Sequence, residues 1–220
     1  MLFRSTPLSQ ILSLFPVFIL LLTILALSWL LLAKTIAGLI SAGFALLLSL
    51  YGVPLLAYRL HARFYPLSEG VSYLRSPNYS PWWGSHQFQV IYIAIPALET
   101  VLRLIPGLFS LWLRAWGAKV GNNVYWTPIL EIADRGLLTI GDRVIFGHRV
   151  GLYSHAIKPK GDDLLLYVQR ITIGDDVFIG ADSRFAPGVV VAANTYLPVK
   201  SDLYPKTTIT PCDSSCADVN

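Results

Sequence analysis

Apolar–glycine pairs recur through the second half of this chain on a six-residue beat. Val120-Gly121, Ile140-Gly141, Phe146-Gly147, Ile173-Gly174 and Ile179-Gly180 are the pairs. Ile140 to Phe146 and Ile173 to Ile179 are each six apart, and the phase continues through Phe185, Val191 and Leu197, and from Phe146 to Leu152. Four residues into many units stands a small or aliphatic residue: Val144, Val150, Ala156, Val177, Ser183, Val189, Thr195. A period of six reads as a short strand plus a turn, with three such units closing one triangular coil. The apolar residue points inward and stacks on its equivalent one coil later. The next position turns the corner, where glycine tolerates the backbone geometry. Asn122, Asn123, Asp142, Asp175 and Asp176 suit turn positions near the corners. One coil cannot bury its own face, so coils must stack.

Two stretches carry a family resemblance: Ile-Gly-Asp-Arg-Val-Ile-Phe-Gly from Ile140, and ITIGDDVFIGADSRFAPGV from Ile171. They closely resemble the hexapeptide-repeat acyltransferases over residues 118–210. The resemblance implies a mainly β fold, a left-handed parallel β-helix, and assembly as a homotrimer. It also implies acetyl-CoA or another acyl-CoA as co-substrate, with no metal. The same coil serves gamma-class carbonic anhydrases and non-enzymatic scaffolds, so fold alone does not decide the reaction. Two departures stand out. Phe178 occupies the place of the usual tryptophan, and the last repeat, VVVAANTYLPVKSDLYPKTTIT, lacks the usual closing text, which puts the final coil in doubt.

The six-residue phase breaks once. After Leu152-Tyr-Ser-His155 the chain runs AIKPKGDDLLLYVQR before re-entering at Ile171. This reads as a loop of about 15 residues thrown out of the coil, and excursions that long in a compact repeat usually carry function. In the O- and N-acetyltransferase branch that the chain resembles, a histidine just before such a loop serves as general base, and His155 occupies that place. An acyl thioester is already activated. An imidazole near neutral pKa can take the proton of an attacking hydroxyl or amine, and backbone N–H groups can hold the oxyanion. His148 is the second candidate for the site. The resemblance places coenzyme A along a groove between coils, with Gly180, Ala181 and Ala186 as small contacts and Lys200 as the basic one.

The front half has another texture. Mean hydropathy is +0.56, 54% of residues are hydrophobic and 14% charged, which points to membrane segments. Ile11–Ala33 and Thr35–Ala57 carry no charge and flank Lys34. Each meets the roughly 20 residues that a bilayer needs. Two antiparallel helices turning near Lys34 fit better than one helix of twice the membrane thickness, and Gly38, Ser41 and Gly43 allow close approach. The first run is too long for the apolar core of a cleaved signal peptide. Arg4 before the first span and Arg59, Arg63 and Arg75 after the second place both ends in the cytoplasm. A bacterial cytoplasmic membrane is the default setting. A net charge of +4 without a basic run excludes a nucleic-acid footprint.

Residues 64–117 read as a connector. Pro66, Pro77 and Pro81 forbid a long helix early on, and Trp82 and Trp83 beside Tyr79 suit the headgroup zone. His61 and His86 read as interfacial or solvated. The apolar run 90–116, broken by Pro96 and Pro106-Gly107, reads as a pair of interfacial amphipathic helices, with Glu99 and Arg103 pairing at i,i+4. Cys212 and Cys216 fall in a polar tail, 211–220, and read as free thiols. The expected layout is thus a helical hairpin over 1–63, the connector over 64–117, the β-helix over 118–210 and the tail. The function that this layout implies is a membrane-anchored acyltransferase, moving an acyl group from acyl-CoA to an amphiphilic or glycan acceptor. A non-catalytic membrane scaffold is the alternative. A gamma-type carbonic anhydrase would need three zinc-binding histidines, which the coil lacks.

Overall fold

The structure, a computed structural model, describes residues 6–75 and 77–211. The two cysteines lie outside these residues. The chain forms two compact units. One comprises 1–67 and 75–91; the other comprises 68–74 and 92–220.

The first unit is helical: α1 (Pro7–Ser13), α2 (Phe15–Leu32), α3 (Ile36–Leu47) and α4 (Val53–Phe64). Thr6 caps α1 and Thr35 caps α3, each hydroxyl accepting a backbone N–H from the first turn. A π-turn at Leu48–Gly52 joins α3 to α4, where Pro54 removes one backbone donor from the ladder. Pro7–Leu32 and Ile36–Phe64 are both long and apolar enough to cross a membrane. After the strand β1 (Gly70–Tyr73) comes α5 (Pro81–Ala94). The connector therefore holds a 14-residue helix, because proline is harmless at a helix start and disruptive only in its interior.

The two tryptophans of α5, expected at the headgroup zone, differ in burial, Trp83 being half-buried. Trp82 is buried, and the Trp83 indole donates to the Ser9 carbonyl and the Ser13 hydroxyl. His61 is likewise buried, packed against Tyr65, Tyr79 and Phe88, with Nε2 2.6 Å from the Tyr79 hydroxyl. The ring of His86 stacks on Trp82. Gly84 permits this packing, since a Cβ there would meet the Tyr79 hydroxyl and His61.

The second unit begins with α6 (Ala97–Arg103) and α7 (Leu108–Ala115). Then come β2 (Lys119–Val120), β3 (Leu130–Ile132), β4 (Leu138–Ile140), β5 (Ile145–Phe146) and β6 (Val150–Leu152). A hairpin follows, β7 (His155–Lys160) and β8 (Asp163–Val168), and then β9 (Ile171–Ile173) and β10 (Phe178–Ile179). The remaining strands are β11 (Arg184–Phe185), β12 (Val190–Val191), β13 (Tyr196–Leu197), β14 (Asp202–Leu203) and β15 (Thr208–Ile209). From β4 on, and leaving the hairpin aside, successive strands enter three parallel sheets in rotation. The first face is β2-β4-β9-β12-β15, the second β5-β10-β13 and the third β3-β6-β11-β14. Partners in the later coils are 18 residues apart, as in Phe178 with Tyr196 and Arg184 with Asp202. Eighteen is three hexads, so the sequence period and the coil agree.

The inward column is buried at Val144, Phe146, Val150, Leu152, Val177, Ile179, Phe185, Val189, Val191 and Leu197, and half-buried at Leu203 and Ile209 in the last coil, whereas Ala156, expected in this series, lies in the hairpin strand β7. Ser183 and Thr195 are buried in the same series, their hydroxyls donating to the Gly180 and Ala192 carbonyls. The last repeat keeps the register through Thr208 and Ile209 despite its unusual text.

The glycines serve a purpose other than the expected one. Gly141, Gly147, Gly174 and Gly180 are not in the left-handed region. That region is taken by Arg143, Arg149, Asp176, Asp182, Asn194, Lys200 and Lys206, with φ from 56 to 64°. The glycines are required because the next coil lies against them: a Cβ on Gly174 would come within 2.5 Å of the Ala193 nitrogen, and one on Gly147 within 2.5 Å of the Ala181 nitrogen.

Helix α7 closes one end of the stack. Phe109, Trp112, Leu113 and Trp116 are buried, and Phe109 meets Trp126, which stacks on Phe146 at 4.6 Å. These apolar residues therefore cap the coil and do not face lipid, as the terminal repeat of such a stack requires. Val101, Leu104, Ile105 and Leu111 of the same segment stay exposed.

Candidate active site

The excursion after Leu152 is an antiparallel hairpin and not an irregular loop. β7 pairs with β8, and β8 pairs in turn with β1 from the connector. Gly70, Val168 and His155 fall in one row across this sheet. The base of the hairpin is closed where Gln169 N–H donates to the Ser154 carbonyl, and the buried Ser154 hydroxyl donates to the Leu137 carbonyl. His155 thus leaves the coil from a fixed corner.

That corner brings a partner to it. β3 pairs with β6 in the register Leu130–Val150, Glu131–Gly151, Ile132–Leu152. Two residues beyond Ile132, Asp134 arrives beside Ser154 and His155. The Asp134 carboxylate is buried, and its Oδ2 lies 2.6 Å from His155 Nδ1. A carboxylate can only accept, so this contact places the neutral ring's proton on Nδ1 and its lone pair on Nε2. An imidazole held in this way by a buried carboxylate has the geometry that a general base requires.

The next residue, Arg135, is 1% exposed and donates to both oxygens of Glu99, at 2.6 and 2.9 Å. Glu99 is 2% exposed and also accepts from the Trp112 indole at 3.0 Å. The expected Glu99–Arg103 pair is present but longer, 3.5 Å. The Arg135 guanidinium lies 5.0 Å from the centre of the Tyr92 ring. Burial, together with Arg135 nearby, draws the Arg103 guanidinium down to about 10 against the pull of Glu99. Glu99 and Arg135 form a buried bidentate pair directly behind the Asp134 turn.

The other sequence candidates divide between two corners. His148, Gly180, Ala181 and Lys200 stack at the corner between the second and third faces, where Asp182 N–H donates to the His148 carbonyl and Lys200 N–H to the Ala181 carbonyl. Ala186 lies at the opposite corner, following β11 as Tyr153 follows β6. His148 and His155 are therefore at opposite ends of β6, and His148 is not part of the His155–Asp134 pair. Among the described residues, no three His, Cys, Asp or Glu side chains gather as a metal site.

The sequence gives no sign of Asp134 or Arg135 at this site, and it shows Glu99 only as the i,i+4 partner of Arg103. Asp134 sits in Ala-Asp-Arg-Gly, which reads as turn chemistry. The first coil is 20 residues, as Leu130 to Val150 shows, so counting back one regular coil of 18 from His155 misses it.

No family model matches the chain. In sequence it is 26% identical over 129 residues to a provisionally named colanic acid biosynthesis acetyltransferase of Escherichia coli (strain K12), covering 48% of this chain and 71% of that protein. It is 32% identical over 84 residues to the galactoside O-acetyltransferase of the same organism, covering 36% and 40%. It is 30% identical over 115 residues to a delta-poly-L-ornithine synthetase of Acinetobacter baumannii, covering 50% of this chain and 8% of that one. The chain thus spans less than half the length of two of these three relatives. Among solved structures, a hexapeptide-repeat-containing acetyltransferase of Vibrio cholerae complexed with acetyl coenzyme A superposes with a TM-score of 0.36 at 18% identity, over 51% of this chain and 80% of that one. A galactoside acetyltransferase in complex with coenzyme A gives 0.34 at 17%, over 53% and 76%. In sequence, the chain is similar to acetyltransferases.

Proposed function

We propose that the chain is a membrane-anchored, CoA-dependent acetyltransferase with His155 as general base, working on a left-handed parallel β-helix. The observation that carries this reading is the 2.6 Å contact between His155 Nδ1 and the buried Asp134 carboxylate. Nε2 takes the proton of an acceptor hydroxyl or amine as that atom bonds to the thioester carbonyl carbon. The carbonyl oxygen becomes an oxyanion, held by backbone N–H groups. Collapse of the tetrahedral intermediate breaks the carbon–sulfur bond, and the proton passes from Nε2 to the departing thiol. No covalent enzyme intermediate is needed.

Relatives named for galactoside and colanic acid support a carbohydrate hydroxyl as the acceptor. The two long apolar helices support a membrane anchor and hence an amphiphilic acceptor. Exposed Val101, Leu104, Ile105 and Leu111 support contact of α6–α7 with the interface. Gly180, Ala181 and Lys200 share one corner and offer contacts to coenzyme A, with Ala186 across the third face. A homotrimer, with the site completed between subunits, follows from the resemblance.

Detergent-solubilised protein incubated with radiolabelled acetyl-CoA and a total lipid or glycan extract should move label into the extract. Failure of label to enter any acceptor, with the coil folded, would favour a non-catalytic scaffold.

A further inference from the structure

A cavity of about 380 Å³ lies in the second unit, bounded by the end of α6, the start of α7 and the chain from Gly121 to Trp126. On the coil it sits at the corner joining the first face to the second, whereas His155 leaves from the corner after the third. Its lining holds two guanidiniums, Arg103 and Arg114, and no carboxylate. Arg103 meets Glu99 only at 3.5 Å, and Arg135 already donates to both Glu99 oxygens. These three groups carry two positive charges and one negative. The Arg103 Nε is buried and takes no hydrogen-bond partner.

The start of α7 adds donors. Gly107, at φ 78°, precedes its first turn with no side chain capping it, and that turn holds no acidic residue. The Leu108 N–H turns back to the Ile105 carbonyl, but the N–H groups of Phe109 and Ser110 take no acceptor among the described residues. Both residues line the cavity. The Ser110 hydroxyl accepts from the Trp126 indole at 2.8 Å, so its own proton is left to donate. Arg114 is fixed in place by donating to the Val120 and Gly121 carbonyls, at 2.8 and 2.7 Å. An uncapped helix start beside two guanidiniums suits an anion with several acceptor oxygens, a phosphate above all. Burial already holds Arg103 below its usual value, and a neighbouring anion offsets that cost.

The rim shows what carries the phosphate. Ile105 and Tyr125 line the cavity and are exposed, and exposed Leu104 adjoins them. A soluble anion gains nothing from such a rim, whereas a lipid buries apolar surface against it. The volume is at the low end for small-molecule sites, ~300–1,000 Å³, which suits a headgroup with its chains outside. We propose that this cavity holds the headgroup phosphate of an anionic membrane phospholipid, between Arg103, Arg114 and the start of α7, with the acyl chains leaving over Ile105 and Tyr125. The lipid rests on the membrane contact proposed for α6–α7, and not on the role of His155. Occupied, the site ties the coil to an anionic bilayer surface at a corner other than the one that carries His155.

Native mass spectrometry of the full chain in a neutral detergent tests this, with phosphatidylglycerol and phosphatidylcholine as probes and glycerol 3-phosphate and coenzyme A as competitors. Wild type should bind one phosphatidylglycerol about tenfold tighter than phosphatidylcholine, or more. Arg114→Gln should lose most of that preference. Ile105→Glu sets a repelling charge at an exposed position of the rim, and should lose it too with circular dichroism unchanged. Equal binding of the two lipids, or a preference kept in both variants, would overturn the site. Displacement by glycerol 3-phosphate at the lipid's own concentration would overturn the lipid as occupant. Displacement by stoichiometric coenzyme A would overturn the site as well, giving the cavity to the co-substrate. Alkaline carbonate extraction reads the anchor separately. Release of wild type from membranes would overturn the spanning helices, while a phosphatidylglycerol preference kept in detergent and lost in both variants would leave the site standing.

Discussion

His155 Nδ1 and Asp134 Oδ2 stand 2.6 Å apart, although 21 residues of chain separate them. The pairing of β3 with β6 brings them together, and the carboxylate settles which imidazole nitrogen keeps a lone pair. Asp134→Asn should keep the shape and lose the fixed tautomer. Turnover with acetyl-CoA should fall about 10²–10⁴-fold, the range for losing general-base assistance, with KM for acetyl-CoA little changed. Steady-state kinetics check this. A fall in affinity with turnover intact would mean that Asp134 only shapes the binding surface.

Behind that turn, Arg135 and Glu99 are both buried and bidentate. Removing one partner of such a pair strands a charge and costs about 3–5 kcal/mol. Arg135→Met and Glu99→Gln should each destabilise the second unit by roughly that amount, and the double variant by less than the sum. Urea unfolding of the four proteins in detergent gives the cycle. Strict additivity would mean that the pair does not act as a unit.

Tyr153 is pushed up to about 12, first by burial and then by its hydrogen bond to the Glu131 carboxylate. A raised phenol pKa means that the folded state holds this proton more tightly than the unfolded chain does. Its stabilising contribution is complete below about 10 and lost as pH rises through about 12. The difference absorbance at 295 nm between wild type and Tyr153→Phe isolates this titration. Glu131→Gln should move the midpoint down, though not fully to 10, because burial remains. An unmoved midpoint would remove Glu131 as a cause.

The glycine positions give an asymmetric prediction. Gly174→Ala places a Cβ about 2.5 Å from the Ala193 nitrogen, and should cost about 1–3 kcal/mol through forced separation of the coils. Asn194→Gly, at a position with φ 59°, should be near neutral, because asparagine tolerates this region almost as glycine does. Thermal unfolding of the two variants distinguishes a coil that needs glycine for contact from one that needs it for turning.

The flanking charges give a test of orientation. Labelling Cys212 and Cys216 with an impermeant maleimide should succeed in inverted membrane vesicles and fail in sealed right-side-out ones. The reverse pattern would overturn the expectation, read from the flanking charges, that the second unit faces the cytoplasm.

The repeat was legible because the hexads repeat one physical demand, an inward apolar residue, followed in five of them by a glycine against the next coil. Those glycines answer close approach and not turning, and sequence alone does not separate the two, since close approach and left-handed φ produce the same preference. His155 stood out through the resemblance, at its place before the break in phase, and the structure sets it 2.6 Å from a buried carboxylate; its role as base is part of the proposed function. Asp134 was not legible, because it faces His155 only after β3 and β6 take a 20-residue register. Glu99 looked like half of a surface pair on a helix. Only tertiary packing shows it buried against Arg135. The hairpin β7–β8 was missed as β structure because its third strand, β1, comes from the connector some 100 residues earlier, and a pairing so distant leaves no local trace.

The most direct test is transfer of radiolabelled acetyl from acetyl-CoA by full-length wild type and His155→Ala, side by side, in one detergent and with one acceptor extract. Label should enter the acceptor with wild type and fall by about a hundredfold or more with His155→Ala, with the circular dichroism of the coil unchanged. Equal labelling by the two proteins would contradict His155 as the general base.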